Sequence, residues 1–168
     1  GILDEEARKN WHALKPLKDV VKLHEVYDSS LIPKIEAEVV VDALLGIGLK
    51  GAPRPPVVQL VRKINETKAF RVAVDVPTGI NSDSGAVLGE AVKAHLTVTF
   101  HKAKPGLSKA KEYTGELVVR DIGLPPEFEQ FAGPGDVSLV VKPRAPEAHK
   151  GDFGRLLVVG GSEVFSGA

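Results

Sequence analysis

Residues 38–51 read EVVVDALLGIGLKG. The first eight form an almost continuous apolar run, 38–45, and a strand that is apolar at successive positions is one buried on both faces of a sheet. The run ends in a turn rich in glycine and proline, GIGLKGAPRPP over 46–56. Beyond it Val57, Leu60, Val61 and Ile64 recur at helical spacing, which predicts a helix from about Pro56 with these residues as its buried stripe. A buried strand leading through a turn into an amphipathic helix is the repeating unit of an α/β fold with a parallel sheet.

The same pattern extends in both directions. Toward the C-terminus, RVAVDV (71–76), LTVTFH (96–101) and LVVRD (117–121) read as further strands, with a Gly- and Ser-rich loop at 78–90. Residues 124–136 are rich in Pro and Gly and read as a surface excursion, 137–141 (VSLVV) as a short strand, and 142–152 as a linker. RLLVVGG, 155–161, begins another strand-to-glycine unit. Toward the N-terminus, VVKLHEV (20–26) is strand-like, and residues 4–15 form an amphipathic helix capped by Asp4, carrying Trp11 and Leu14 on one face and ended by Pro16. The expected fold class is therefore α/β, a mostly parallel sheet with no internal repeat.

Composition excludes several functions. Lysine plus arginine numbers 22 and aspartate plus glutamate 22, so no net field favours nucleic acid or an anionic membrane. The absence of cysteine removes disulfides, thiolate zinc sites and a cysteine nucleophile, and fits a cytoplasmic protein. No apolar run approaches the roughly 20 residues of a membrane helix. The start, Gly1-Ile2-Leu3-Asp4, is not a signal peptide, and a chain without methionine reads as a processed product or a fragment.

Three stretches carry candidate chemistry. Gly46-Ile47-Gly48-Leu49-Lys50-Gly51 follows a strand and has the GxGxxG spacing that lets backbone N–H groups approach a phosphate. A dinucleotide fingerprint opens directly into a helix, whereas Pro53, Pro55 and Pro56 intervene here, so a tight structural turn is an equal alternative. Asp42 is a carboxylate inside an apolar strand. It either faces a site from the strand's carboxyl end or is satisfied by nearby amides. Asp75 ends the next strand, before Pro77-Thr78-Gly79, and the Thr78 hydroxyl can ligate a cation or bond a ligand. Two strands ending alike predict one shared cleft at their carboxyl ends. The five histidines, His12, His24, His95, His101 and His149, have no metal-ligand spacing. Lys102 and Lys104, before Pro105-Gly106, read as a solvated basic loop, with phosphate contact as the alternative.

Taken in order, VVVDALLGIGLKG, RVAVDVPTGINSDSG, LTVTFHKAKPGL and GELVVRDIGLP resemble the NAD(P)H-hydrate epimerase domain, over roughly residues 1–141. The tail from His149 through KGDFGR, VVGGS and SGA resembles the start of an ADP- or ATP-dependent NAD(P)H-hydrate dehydratase, which has a ribokinase-like fold. The resemblance implies a truncated three-layer Rossmann-like domain over 1–141, and a linker with the first strand of a second domain over 142–168. The parent would be a bifunctional repair enzyme acting on hydrated NADH or NADPH. It further implies Asp42 and Thr78 as potassium ligands, Gly46, Ile47, Gly48, Leu49, Lys50, Gly51 and Ala52 on the substrate's phosphates, and Asp75 as the acid/base group. Two departures stand out: a glycine-rich NNGGD segment is absent, and Ile47 stands where a small polar residue is frequent. In the doubly wound order the resemblance implies, residues 20–26 are the third strand and 38–45 the fourth, with the first two lying between them, so this chain should fold with a gap in its sheet. A non-catalytic nucleotide- or protein-binding module and a nicotinamide dehydrogenase are the competing readings, with homo-oligomer formation left open.

Overall fold

The computed structural model describes residues 5–140, 147–149, 155 and 157. The chain divides into two compact units, Gly1–Leu124 and Pro125–Ala168. In the first, four strands form one sheet: β1 (Val39–Asp42), β2 (Phe70–Val74), β3 (Leu96–Phe100) and β4 (Glu116–Arg120). All are parallel and lie in chain order. Helix α2 (Val57–Glu66) connects β1 to β2, and the single turn α3 (Lys111–Thr114) precedes β4. Between β2 and β3 runs a long loop, folded back on itself by an antiparallel bridge between Ile80 and Val87.

Strand order decides which face of the sheet is covered. Parallel crossovers are right-handed, so strands that advance steadily in one direction place every crossover on the same face. The buried positions follow that rule. Register sets Val40, Asp42, Ala73, Thr97, Thr99 and Leu117 on one face. Val40 packs with Val57, Val61 and Ile64 of α2 and with Val92. Leu117 packs with Val76, Ile80, Ala91, Leu107 and Ala110 from the two later crossovers. On the opposite face Val39, Val41 and Phe70 are exposed and Val72, Val74, Leu96, Val98, Phe100 and Val118 are only half-buried. The sheet is thus α/β and fully parallel, but the described residues bury one face where the three-layer expectation has two.

Two glycines hold the long loop in place. Gly79 has φ +95°, and a Cβ there would sit 2.0 Å from the Glu90 carbonyl oxygen. A Cβ on Gly106 would meet the Asn81 carbonyl oxygen at 2.5 Å, and its own N–H donates to the Ser82 carbonyl at 2.7 Å. Only glycine permits such close approaches.

Some expectations need correction. Residues 20–26 form no strand. A strand exists through its ladder, and among the described residues β1 pairs only with β2, so a segment expected to lie beyond intervening strands finds no partner among them. The sheet consequently has an open edge at β1 and no gap in its middle. The N-terminal helix, α1 (Glu5–Leu14), forms as expected, its successor Pro16 lying in a 3-10 turn, but it buries no residue; its expected cap, Asp4, lies outside the described residues. In the second unit, the strand expected at 137–141 is instead part of a helix, α4 (Pro134–Val140). Pro134 presets the backbone of the first turn, and the Asp136 carboxylate accepts from the Gly133 N–H at 2.7 Å, closing that turn. The expected strand at 155–161 falls largely outside the described residues.

Candidate functional site

Asp42 at the end of β1, Asp75 just past the end of β2 and Thr99 next to the end of β3 lie at the same edge of the sheet. Asp42 is the last residue of β1 and is 1% exposed. Thr78, fully buried, comes back over it from the loop after β2. The Thr78 N–H donates to Asp42 Oδ2 at 2.8 Å, and its hydroxyl lies 2.7 Å from Asp42 Oδ1. The same hydroxyl oxygen accepts the Leu45 N–H at 3.0 Å and lies 3.2 Å from the Leu45 carbonyl oxygen. Leu44 N–H adds a longer bond to Asp42 Oδ1, at 3.3 Å. Asp42 and Thr78, 36 residues apart, are thus brought together with their oxygens clustered, as both sequence alternatives allowed.

Burial pushes the Asp42 carboxyl above the usual carboxylate range, although the bonds from Thr78 and Leu44 oppose the shift. Among the described residues every hydrogen-bond partner of Asp42 is a neutral donor. A buried carboxylate with no countercharge among the described residues, beside a hydroxyl and a carbonyl oxygen, is a donor set suited to a hard monovalent cation. Among the described residues no group of three His or carboxylate side chains forms a metal cluster, so nothing of that kind suggests a transition-metal centre.

Asp75 lies just past β2 and is the sharper feature. Its φ is +65°, a left-handed conformation costly for a residue other than glycine. Its N–H donates to the Val98 carbonyl at 2.8 Å, which secures the turn. Asp75 Oδ1 accepts from the Thr99 hydroxyl at 3.0 Å, from the Phe100 N–H at 3.1 Å and from Lys104 Nζ. Burial raises the Asp75 carboxyl, but the hydrogen bonds from Lys104, Phe100 and Thr99 and the Lys104 charge prevail and hold it below the ordinary range. Asp75 is therefore ionised at neutral pH, the state required of a general base.

The glycine loop behaves differently from a dinucleotide fingerprint. A Cβ on Gly46, Gly48 or Gly51 would meet nothing within 4 Å among the described residues, so these glycines make no close packing against the described strands or helices. The loop is held by a turn in which Leu49 N–H donates to the Gly46 carbonyl at 3.3 Å. Ile47 is 64% exposed, and Lys50, Gly51 and Ala52 are exposed with it. Residues 52–56 separate Gly51 from the start of α2, which weighs against the dehydrogenase reading.

Lys104 is not a solvated basic residue. It is about one-fifth exposed, paired with Asp75, and donates to Thr99 Oγ1 at 3.2 Å and to the Phe100 carbonyl at 3.0 Å. The sequence reading also passed over Thr99. The available signal was a pair of threonines, Thr97 and Thr99, at alternate positions of an otherwise apolar strand, which places two hydroxyls on one face. Thr97 has a structural use, donating to the Thr114 carbonyl at 2.7 Å. His95 is structural as well: its Nδ1 accepts the Arg71 N–H at 2.9 Å.

Comparison with known proteins places this geometry. Residues 1–106 match the family model described as YjeF-related protein N-terminus. The bifunctional NAD(P)H-hydrate repair enzyme Nnr of Hyperthermus butylicus is 47% identical over 167 residues, 99% of this chain and 31% of that protein. Its namesake in Methanothermobacter thermautotrophicus is 49% identical over 171 residues, 33% of its length. The NAD(P)H-hydrate epimerase of Cenarchaeum symbiosum is 36% identical over 130 residues, covering 77% of this chain and 60% of that one. The yeast protein YNL200c shares the fold, with a TM-score of 0.58 over 88% of this chain and 59% of its own, at 20% identity. The chain spans about a third of the length of the first two relatives. With a parallel α/β sheet, paired polar strand ends and a family match covering most of its residues, this chain belongs to the YjeF-related N-terminal domain family.

Proposed function

We propose that the chain carries the epimerising part of a nicotinamide-nucleotide repair enzyme, interconverting the two epimers of hydrated NADH or NADPH. The observation that carries this reading is the convergence in this chain of an ionised, hydrogen-bonded Asp75 and the Asp42–Thr78 pair at the carboxyl edge of one parallel sheet, supported by its similarity to relatives named for that activity. Asp75 serves as the acid/base group of the exchange at the hydrated carbon, accepting a proton from the substrate and giving it back. The 46–52 loop binds the substrate's phosphates through backbone N–H groups, which the absence of Cβ atoms at Gly46, Gly48 and Gly51 leaves accessible. Asp42, Thr78 and the Leu45 carbonyl would hold a potassium ion, which supplies fixed positive charge beside an anionic ligand. Residues 1–141 form this part, and 142–168 form a linker and the opening of an ADP- or ATP-dependent dehydratase in a cytoplasmic parent protein. Among the described residues no helix is long and apolar enough to cross a membrane.

The test follows epimer exchange in hydrated NADH by chromatography, using the full-length parent protein. Asp75→Asn keeps the shape but cannot take a proton at neutral pH, so exchange falls by about 10²–10⁴-fold while folding persists. Turnover at the parental rate removes Asp75 from the acid/base role. Nucleotide binding without exchange in the parent itself would favour a binding module. The cation has its own readout: potassium raises thermal stability over tetramethylammonium at equal ionic strength, and Asp42→Asn abolishes the difference.

A further inference from the structure

We propose that Lys104 is the positioning residue of the Asp75 carboxylate: it clamps one oxygen and leaves the other to exchange the substrate's proton. The inference rests on the proposed epimerase reading and goes beyond it, since it concerns how one carboxylate is fixed.

Among the described residues the donors to Asp75 all meet Oδ1: the Thr99 hydroxyl, the Phe100 N–H and the Lys104 ammonium. Oδ2 is outside that set. Lys104 is itself held, by the Thr99 hydroxyl oxygen and the Phe100 carbonyl. Three oxygens thus surround the ammonium at the end of its long side chain. Lys104 and Asp75 are each about one-fifth exposed, so the pair is screened less than a surface ion pair.

The backbone shows the same purpose. β2 ends in left-handed Asp75 and β3 ends in left-handed His101, at φ +65° and +63°. The second turn sends the chain back so that Lys104, four residues past the end of β3, reaches the end of β2. Two non-glycine residues in that conformation are costly, and such cost persists where surrounding structure enforces it. Among the described residues, Lys104 supplies the one charge paired with the carboxylate. His101 and Lys102 lie on the same loop, and Asp42 ends the neighbouring strand.

A proton moving onto Oδ2 leaves the Oδ1 contacts in place. Thr99, Phe100 and Lys104 keep the carboxyl plane fixed through both protonation states, so each half of the exchange begins from the same geometry. Without the ammonium the carboxylate would rotate between its oxygens and hold a proton more tightly.

The experiment uses the full-length parent with Lys104→Met and Lys104→Arg. In the methionine variant, kcat for epimer exchange falls about tenfold or more, KM stays near the parental value, and the acid limb of the kcat profile moves to higher pH. Arginine, which keeps the charge, restores the position of that limb. A lysine with only a structural role would lower the melting temperature and leave the limb unmoved in both variants, which overturns the proposal. Carbon-13 NMR titration of the Asp75 carboxyl, needing no activity, is the second readout. It moves upward in Lys104→Met if the proposal holds and is unchanged if it does not. A parent protein without epimer exchange removes the epimerase reading, while the titration still decides the part played by Lys104.

Discussion

Replacing Thr78 by valine tests the buried pair at the end of β1. The substitution keeps shape and removes one hydroxyl. That hydroxyl lies 2.7 Å from a carboxylate oxygen of a residue 1% exposed and accepts the Leu45 N–H at 3.0 Å. A hydrogen bond to a charged group contributes about 1.5–3 kcal/mol, and an unpaired buried N–H costs about 1–3 kcal/mol. One hydroxyl serves both, so the two do not simply add, and about 3 kcal/mol is the expected loss. With a urea slope of about 1–3 kcal/mol per molar, the unfolding midpoint falls by roughly 1–3 M. The retained Thr78 N–H bond to Asp42 Oδ2 keeps the loss from being larger.

The pH dependence gives a second handle. The Asp42 carboxyl sits above its unfolded value because it is buried. A carboxyl raised in the folded state stabilises the fold when protonated, and that contribution is lost as pH rises from the unfolded value through the folded one. Removing a donor that favours the charged form raises the folded value further. The penalty of Thr78→Val is therefore greater above that window than below it, and Thr78→Ser recovers most of it. A midpoint shift below about 0.3 M, or one independent of pH, would refute the reasoning.

Three further outcomes follow from the structure. Gly79→Ala forces a Cβ to 2.0 Å from the Glu90 carbonyl oxygen at φ +95°, so the loop must move, and a loss of about 3 kcal/mol or more is expected in urea unfolding. The 168-residue chain self-associates through its open face and edge, where Val39, Val41 and Phe70 are 53%, 60% and 48% exposed. Sedimentation velocity will show this, and Val39→Lys with Val41→Lys reduces it; a parental chain that is monomeric and melts in one cooperative transition above about 60 °C contradicts it. Residues 149–168 do not bind ADP or ATP by themselves, and calorimetry showing micromolar binding that depends on them would overturn the linker assignment.

The pattern of residues determined the α/β class and four of its strands, because period and composition are local properties. EVVVDALL was legible as a strand, but not the exposure of Val39 and Val41 on one of its faces, and Asp42, Asp75 and Thr78 stood out as polar residues at the ends of apolar runs. Local pattern failed at 20–26 and 137–141. A strand depends on a partner that local sequence does not contain, and the first of these has none, while Pro134 and the Asp136 cap made the second a helix. Only the tertiary structure joined Asp42 to Thr78 across 36 residues and Lys104 to Asp75 across 29. Those contacts arise from parallel register and from turns that reverse through left-handed residues. Lys104 was invisible for the same reason: in sequence it follows a strand like any loop lysine, and its meaning comes from the neighbouring strand end that the fold sets beside it. The open face of the sheet was likewise decided by strand order, since right-handed crossovers between strands advancing one way all fall on one side.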